Sequence, residues 1–423
     1  MSLGSTLYDP VKLSIWSLAF YLAVWLFAPI APSSEAELSI PALLYIAGSY
    51  IFFWAGAHLY RLRRAKPFVP EPPGKRMYWA ICAIAFVGIA LRIYDQYFVR
   101  GLELLAAGTE NRETLADNRA GPLSMLGGAL YPFCYIPAFI AFNGVRNRKW
   151  RRAYLLWSWP LFFYPAIEAT LLLSRSQTVA LVILTYVTWR HFSWRGHLID
   201  RRSLTAVAAI AVAVITASGL IFQERLEQGG ADIGLSLDVS SYARTVKPSA
   251  TGTWLMEVSS GTPVEVLFTS TINIAQYVTH GLLEFCSAVD AGMEAGFSAG
   301  AQTFNPYFKA AYVVGLAERN QDLFLRNPIM VDYAGLFLTF FGPLWQDFGA
   351  LGIFLMAPFG YWTSSLGART RRGDIYATPL YLFLVMVVLS MPVGNMIVGA
   401  MGNYTINAML AFFILGRLQR ATK

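Results

Sequence analysis

Apolar runs long enough to cross a bilayer recur along this chain, and most charged residues fall in the segments between them. About 20 residues of helix cross the ~30 Å of hydrocarbon in a bilayer. The runs lie at about 13–30, 40–60, 77–98, 123–143, 153–173, 177–192, 204–222, 348–367, 376–394 and 398–416. In lipid every backbone polar group must find an internal partner, which leaves helical bundles and closed barrels. Alternating barrel patterning is absent, so the expected fold is all-α: a polytopic membrane bundle of about ten or more transmembrane helices. Charged residues make up only 14% of the 423-residue chain, against roughly 25% in soluble domains. That is too little polar surface to cover a water-soluble body.

The charge distribution supplies a topology. Lys12 and the connectors at 61–76, 146–152, 190–202, 369–372 and 417–423 hold about 22 of the 33 basic residues, the bias expected of cytoplasmic connectors. Only Asp9, Glu71, Asp200 and Asp374 oppose them. The net charge of +8 therefore reads as membrane sidedness and not as a nucleic-acid surface, with both termini inside. The first run lacks a strongly basic start and a cleavage site, and is expected to stay as an anchor. Three regions follow: helices one to seven in 1–222, a large external segment at 223–347, partly helical and able to dip into the membrane, and helices eight to ten in 348–423. Cys82, Cys134 and Cys286 have neither metal-ligand nor disulfide-framework spacing, and the first two lie in apolar runs as packing residues.

Ionisable residues inside spans are costly and invite a functional reading. Arg92 and Asp95, three apart on one helix face, and Glu168, seven before Arg175, all fall near the outer ends of their runs. They either form structural ion pairs or line an outward-facing polar cavity. In the external segment His280 and Glu284 are four apart, neighbours on a helix, and form either a surface pair or a catalytic one. Asp347 stands between aromatics and glycines at the mouth of the eighth run. There it is either a proton acceptor or the N-cap of the following helix. Arg175, Arg244, Arg319 and Arg326 are the external arginines suited to a diphosphate, because guanidinium matches phosphate oxygens bidentately.

The Ser174-Arg175-Ser176 step and the stretch from Gln276 to Leu366 resemble the O-antigen polymerase (Wzy-type) family of oligosaccharide repeat-unit polymerases. The residues that carry the resemblance are Tyr277 through Phe285, Gly300-Ala301-Gln302-Thr303-Phe304, and Phe341-Gly342-Pro343-Leu344-Trp345-Gln346-Asp347-Phe348-Gly349 with Gly352. Pro328-Ile329-Met330-Val331 departs from the string that many members show after the position of Arg326-Asn327. The resemblance implies a glycosyltransferase on the periplasmic face of a bacterial inner membrane. It would transfer a growing glycan from undecaprenyl diphosphate onto a second lipid-linked repeat unit, with no metal or other cofactor. Arg175, with Arg244, Arg319 or Arg326, would hold the diphosphate, and Asp347 or the Glu284–His280 pair would take the acceptor's proton. The implied partners are the lipid-linked donor and acceptor, the bilayer and a chain-length regulator.

Two rivals use the same features. A ligase-like transferase would share the donor but use a different acceptor, with His280 in its chemistry. A flippase of lipid-linked sugars would need paired broken helices in equivalent halves, which the sequence does not show.

Overall fold

The computed structural model describes residues 6–34, 36–63, 71–102, 121–171, 175–193, 205, 244–262, 264–313, 315–316, 338–398 and 402–421. The fold is mostly helical. In chain order the helices are α1 (Pro10–Phe27), α2 (Ile40–Arg63), α3 (Lys75–Ile93), α4 (Pro122–Leu130), α5 (Ile136–Arg146), α6 (Ala153–Leu171) and α7 (Arg175–Phe192). They continue with α8 (Ala250–Ser259), α9 (Glu265–Asp290), α10 (Asn305–Val313), α11 (Phe341–Phe348), α12 (Leu351–Arg371), α13 (Thr378–Ser390) and α14 (Gly402–Ala421). A two-stranded antiparallel ribbon joins β1 (Ile30–Pro32) to β2 (Val246–Pro248), pairing Ala31 with Lys247. Apart from Thr205, the seventh predicted run, 204–222, lies outside the described residues, as do Arg319 and Arg326. The others match helices to within a few residues.

Four helical stretches among the described residues are long and apolar enough to cross a membrane: Pro10–Phe27, Ile40–Arg63, Lys75–Val99 and Pro122–Arg146. They turn large side chains outward. Phe27 is 85% exposed, Leu44 67% and Phe98 75%, more apolar surface than a water-soluble monomer leaves bare. Local chemistry sets the ends. The Asp9 carboxylate caps α1 by accepting from the Val11 and Lys12 amides at 3.2 and 3.4 Å, and Pro10 opens the helix where no amide is needed. Pro132 and Pro137 remove amide donors in the fourth stretch, which passes through a 3-10 turn at Tyr131–Tyr135 between α4 and α5.

At the centre stands α13, buried on all sides between α1, α5, α7, α12 and α14, as an all-round apolar helix must be. Beside it α2 and α12 run parallel in intimate contact. A Cβ on Gly56 would lie 1.8 Å from the Ala357 carbonyl oxygen, and one on Gly360 would lie 2.0 Å from that of Phe53. Small residues that bring backbones together are the usual means of helix association in lipid. A second group packs α3 against α4, the 3-10 turn, α5 and α6, and α14 joins it to α13. The described part of the predicted external segment packs on both flanking regions: α9 on α1 and α2, and α11 on α12. Gly349, whose φ of +55° suits glycine, ends α11 two residues before α12 begins.

Candidate functional site

Three polar clusters stand out, two linked through Tyr45 near the starts of α2 and α12 and one at the ends of α3 and α6. The first surrounds Asp347, which lies in α11 and is nearly inaccessible at 3%. One carboxylate oxygen accepts from Ser298 Oγ at 2.6 Å and the Gln302 amide at 3.1 Å. The other accepts from the Thr303 amide at 2.7 Å and Thr303 Oγ1 at 2.5 Å. Next to it the Gln302 side-chain amide donates to Gln346 Oε1, and Asn403 Nδ2 on α14 donates to the Gln302 carbonyl at 3.1 Å. The Gly300–Phe304 and Phe341–Gly349 stretches are thus clamped together by two side chains of the second, Gln346 and Asp347.

This arrangement corrects one alternative for Asp347. It does not cap α12, whose N-cap position is Ala350 with no side-chain hydrogen bond; its oxygens are spent on the 298–303 loop. As a proton acceptor it would first have to release some of four donors.

The second cluster surrounds Glu284 on α9. Its carboxylate binds Arg244, which precedes β2, and accepts from Thr245 Oγ1 at 2.9 Å. Burial pushes this carboxyl above its usual value, and the bonds to Arg244 and Thr245 pull it back. His280 instead puts Nδ1 on the Gln276 carbonyl at 3.0 Å; since a carbonyl only accepts, Nδ1 carries the hydrogen. Both residues are fully buried, so the surface His–Glu pair is corrected: Glu284 pairs across the fold with Arg244. Tyr45 links this cluster to the first. Its hydroxyl donates to the Gly349 carbonyl at 3.1 Å, and its ring meets Trp345 at 5.0 Å and Phe285 at 6.2 Å.

The third cluster lies where α3 ends in a π-helical turn, Tyr94–Val99. Arg92 pairs with Glu168 of α6, and Gln96 Nε2 donates to the same carboxylate oxygen at 2.7 Å. Asp95 pairs with Arg100 at 3.0 Å, and Arg100 also donates to Ser124 of α4. The expected Arg92–Asp95 pairing is replaced by these two bridges, because Glu168 sits across the helix interface where Arg92 can reach it. Arg92 also lies over the Tyr131 ring, 5.0 Å from its centroid.

The structure therefore brings Arg92, Asp95 and Glu168 together, and sets Glu284 and Arg244 side by side. Arg175 opens α7, and its side chain lies outside the described residues. Sequence reasoning passed over Arg100, Gln96 and the donor Ser298, and met Thr303 only as part of the Gly300–Phe304 string. Gln96, four residues after Arg92, was the available signal for one of them. Among the described residues no cluster of His, Cys, Asp and Glu is arranged to hold a metal ion, and Cys82, Cys134 and Cys286 are buried and unpaired. Comparison with known proteins finds no match, whether family model, curated protein or solved structure.

Proposed function

We propose that this protein is a membrane glycosyltransferase that polymerises oligosaccharide repeat units carried on a polyprenyl diphosphate, at the outer face of a bacterial inner membrane. The observation that supports this reading most is the clamp at Asp347. The Gly300–Phe304 and Phe341–Gly349 stretches resemble the polymerase family, and they meet in one buried hydrogen-bond network. The fuller topology of about ten spans with both termini inside belongs to the same proposal, as does the assignment of the polar clusters to the periplasm.

In this mechanism arginines hold the diphosphate and stabilise the charge that develops on it as the glycosidic bond breaks. Arg244, about one-third exposed, is the described external arginine best placed to turn toward a phosphate. Its departure would leave Glu284 unpaired and buried, which raises the carboxylate's appetite for the acceptor hydroxyl's proton. Asp347 is the positioning residue that shapes the 298–303 loop beside them. The donor glycan's anomeric carbon bonds to the acceptor oxygen, the diphosphate leaves with the electron pair of the broken bond, and the proton passes to the base.

A gel of lipid-linked and surface polysaccharide tests the reading. Deletion of the protein should leave single repeat units, and wild type, but not Arg244→Ala at equal expression, should restore the ladder. Full-length polymer in the deletion strain, left unattached to its final acceptor, would replace polymerisation with the ligase-like activity.

A further inference from the structure

Helix α8 is turned inside out for a helix in water. It buries Gly252 and Ser259, whereas Trp254 is 58% exposed and Val258, four residues on and so on the same face, 62%. Thr253 and Glu257, also four apart, are exposed on the neighbouring face. Met256 packs the other way, on the small core of Ile30, Val246, Ile272, Ala275 and Leu283, together with Trp25 and Ala28 at the end of α1. An exposed apolar arc beside a polar one is the pattern of a helix lying in a membrane interface, where tryptophan is enriched.

The place of α8 decides what covers that arc. The Ser249 amide, at its N-cap, donates to the Pro29 carbonyl at 3.0 Å, and a Cβ on Gly252 would lie 2.3 Å from the same oxygen. Just ahead of it the β1–β2 ribbon, and Ser33 Oγ donating to the Arg244 carbonyl at 2.5 Å, fasten this segment to the residues that follow α1. Helix α1 has 18 residues and the composition of a span. Such a helix rises about 27 Å, close to the ~30 Å of hydrocarbon in a bilayer, so its end falls at the membrane interface. Its last turn exposes Leu26 and Phe27 to lipid, and α8 starts beside that surface. Beyond α8 a turn closed by the Gly261 amide on the Glu265 carboxylate, at 2.7 Å, leads to the exposed Val264 and Leu267 of the α9 start, which extend the apolar surface.

We infer that α8 is an interfacial helix, seated in the headgroup region of the leaflet where α1 ends. Trp254 and Val258 enter the acyl boundary, Thr253 and Glu257 face water, and the occupant of the exposed arc is phospholipid. This seat keeps Arg244, five residues before the Ser249 cap, on the headgroup side of the bilayer. A lipid-borne diphosphate would then meet Arg244 without leaving the leaflet, and that last step alone rests on the glycan-polymerising reading above.

The test is a spin-label depth measurement on the full chain in phosphatidylcholine vesicles. Thr253→Cys, Trp254→Cys, Glu257→Cys and Val258→Cys are labelled one at a time; all four positions are exposed, so the substitutions leave the packing alone. Cys82, Cys134 and Cys286 are buried, and the unsubstituted chain serves as the labelling blank. Lipid-soluble oxygen should reach the labels at 254 and 258 in preference to a water-soluble nickel chelate, at a depth of about 5–10 Å. The labels at 253 and 257 should show the opposite preference. Nickel access at all four positions would put the arc in water and overturn the inference. Low access of both reagents at 254 and 258 would mean that a protein surface, a second copy of this chain or another partner, covers the arc, and would overturn it equally. The polysaccharide gel separates the two ideas. A wild-type ladder with water-exposed labels sinks the interfacial seat alone, whereas lipid-exposed labels without a ladder sink polymerisation alone.

Discussion

Replacing Asp347 with Ala removes the acceptor for four donors at once: Ser298 Oγ, the Gln302 and Thr303 amides, and Thr303 Oγ1. A hydrogen bond to a charged group contributes about 1.5–3 kcal/mol. These four share one carboxylate and are not additive, so about 4 kcal/mol of local stability should go. That corresponds to roughly a thousandfold greater population of the open loop, at about 1.4 kcal/mol per decade. Hydrogen exchange of the full protein in detergent, followed by mass spectrometry on peptides covering 298–304, reads this directly. The Gln302 and Thr303 amides should exchange far faster in Asp347→Ala, and Asp347→Asn, which keeps one acceptor oxygen, should fall between. Peptide exchange matching wild type in Asp347→Ala would refute the clamp and return Asp347 to the chemistry itself.

Gly360→Leu should drive α2 from α12, because even a Cβ would meet the Phe53 carbonyl oxygen at 2.0 Å; overpacking of this kind costs about 3 kcal/mol, read as a lowered unfolding temperature in detergent. The Asp374 carboxyl, in the connector after α12, is pushed above its usual value by burial, against the pull of the Ala377 amide and Arg369. The folded protein therefore keeps this proton where the unfolded chain has lost it. Stability should fall as pH rises from the ordinary aspartate value through the raised one, then level off. In Asp374→Asn that part of the thermal unfolding profile against pH should be flat.

Helix positions were legible because apolar run length and proline placement act locally: the runs predicted at 40–60 and 123–143 became Ile40–Arg63 and Pro122–Arg146. Partner choice was not legible. Spacing along one helix suggested Arg92 with Asp95 and His280 with Glu284, yet the bonds run to Glu168 and Arg244 on other elements. Intrahelical spacing states which groups can be neighbours, whereas burial rewards whichever counter-charge the packed interface presents. The ribbon of Ile30–Pro32 with Val246–Pro248 left no trace in the pattern, since three residues per strand are too few to carry a period. For Asp347 the residue type pointed to an acceptor, but its donors come from a loop more than 40 residues earlier.

The inward face of α1 and the turn just before it are satisfied from far downstream. Ser17 Oγ donates to the Leu389 carbonyl, 372 residues away, and Tyr381 donates to the Leu7 carbonyl, 374 residues away. Ribosomes add about 5–20 residues per second, so the first helix emerges roughly 20–75 seconds before α13 arrives to complete it. Throughout that interval α1 must sit in lipid, or against an insertion factor, with its serine hydroxyl facing no final partner. The closing of the bundle is therefore a late event in biogenesis. A chain interrupted before α13 would display an unclosed first helix, the kind of surface that membrane quality control can recognise.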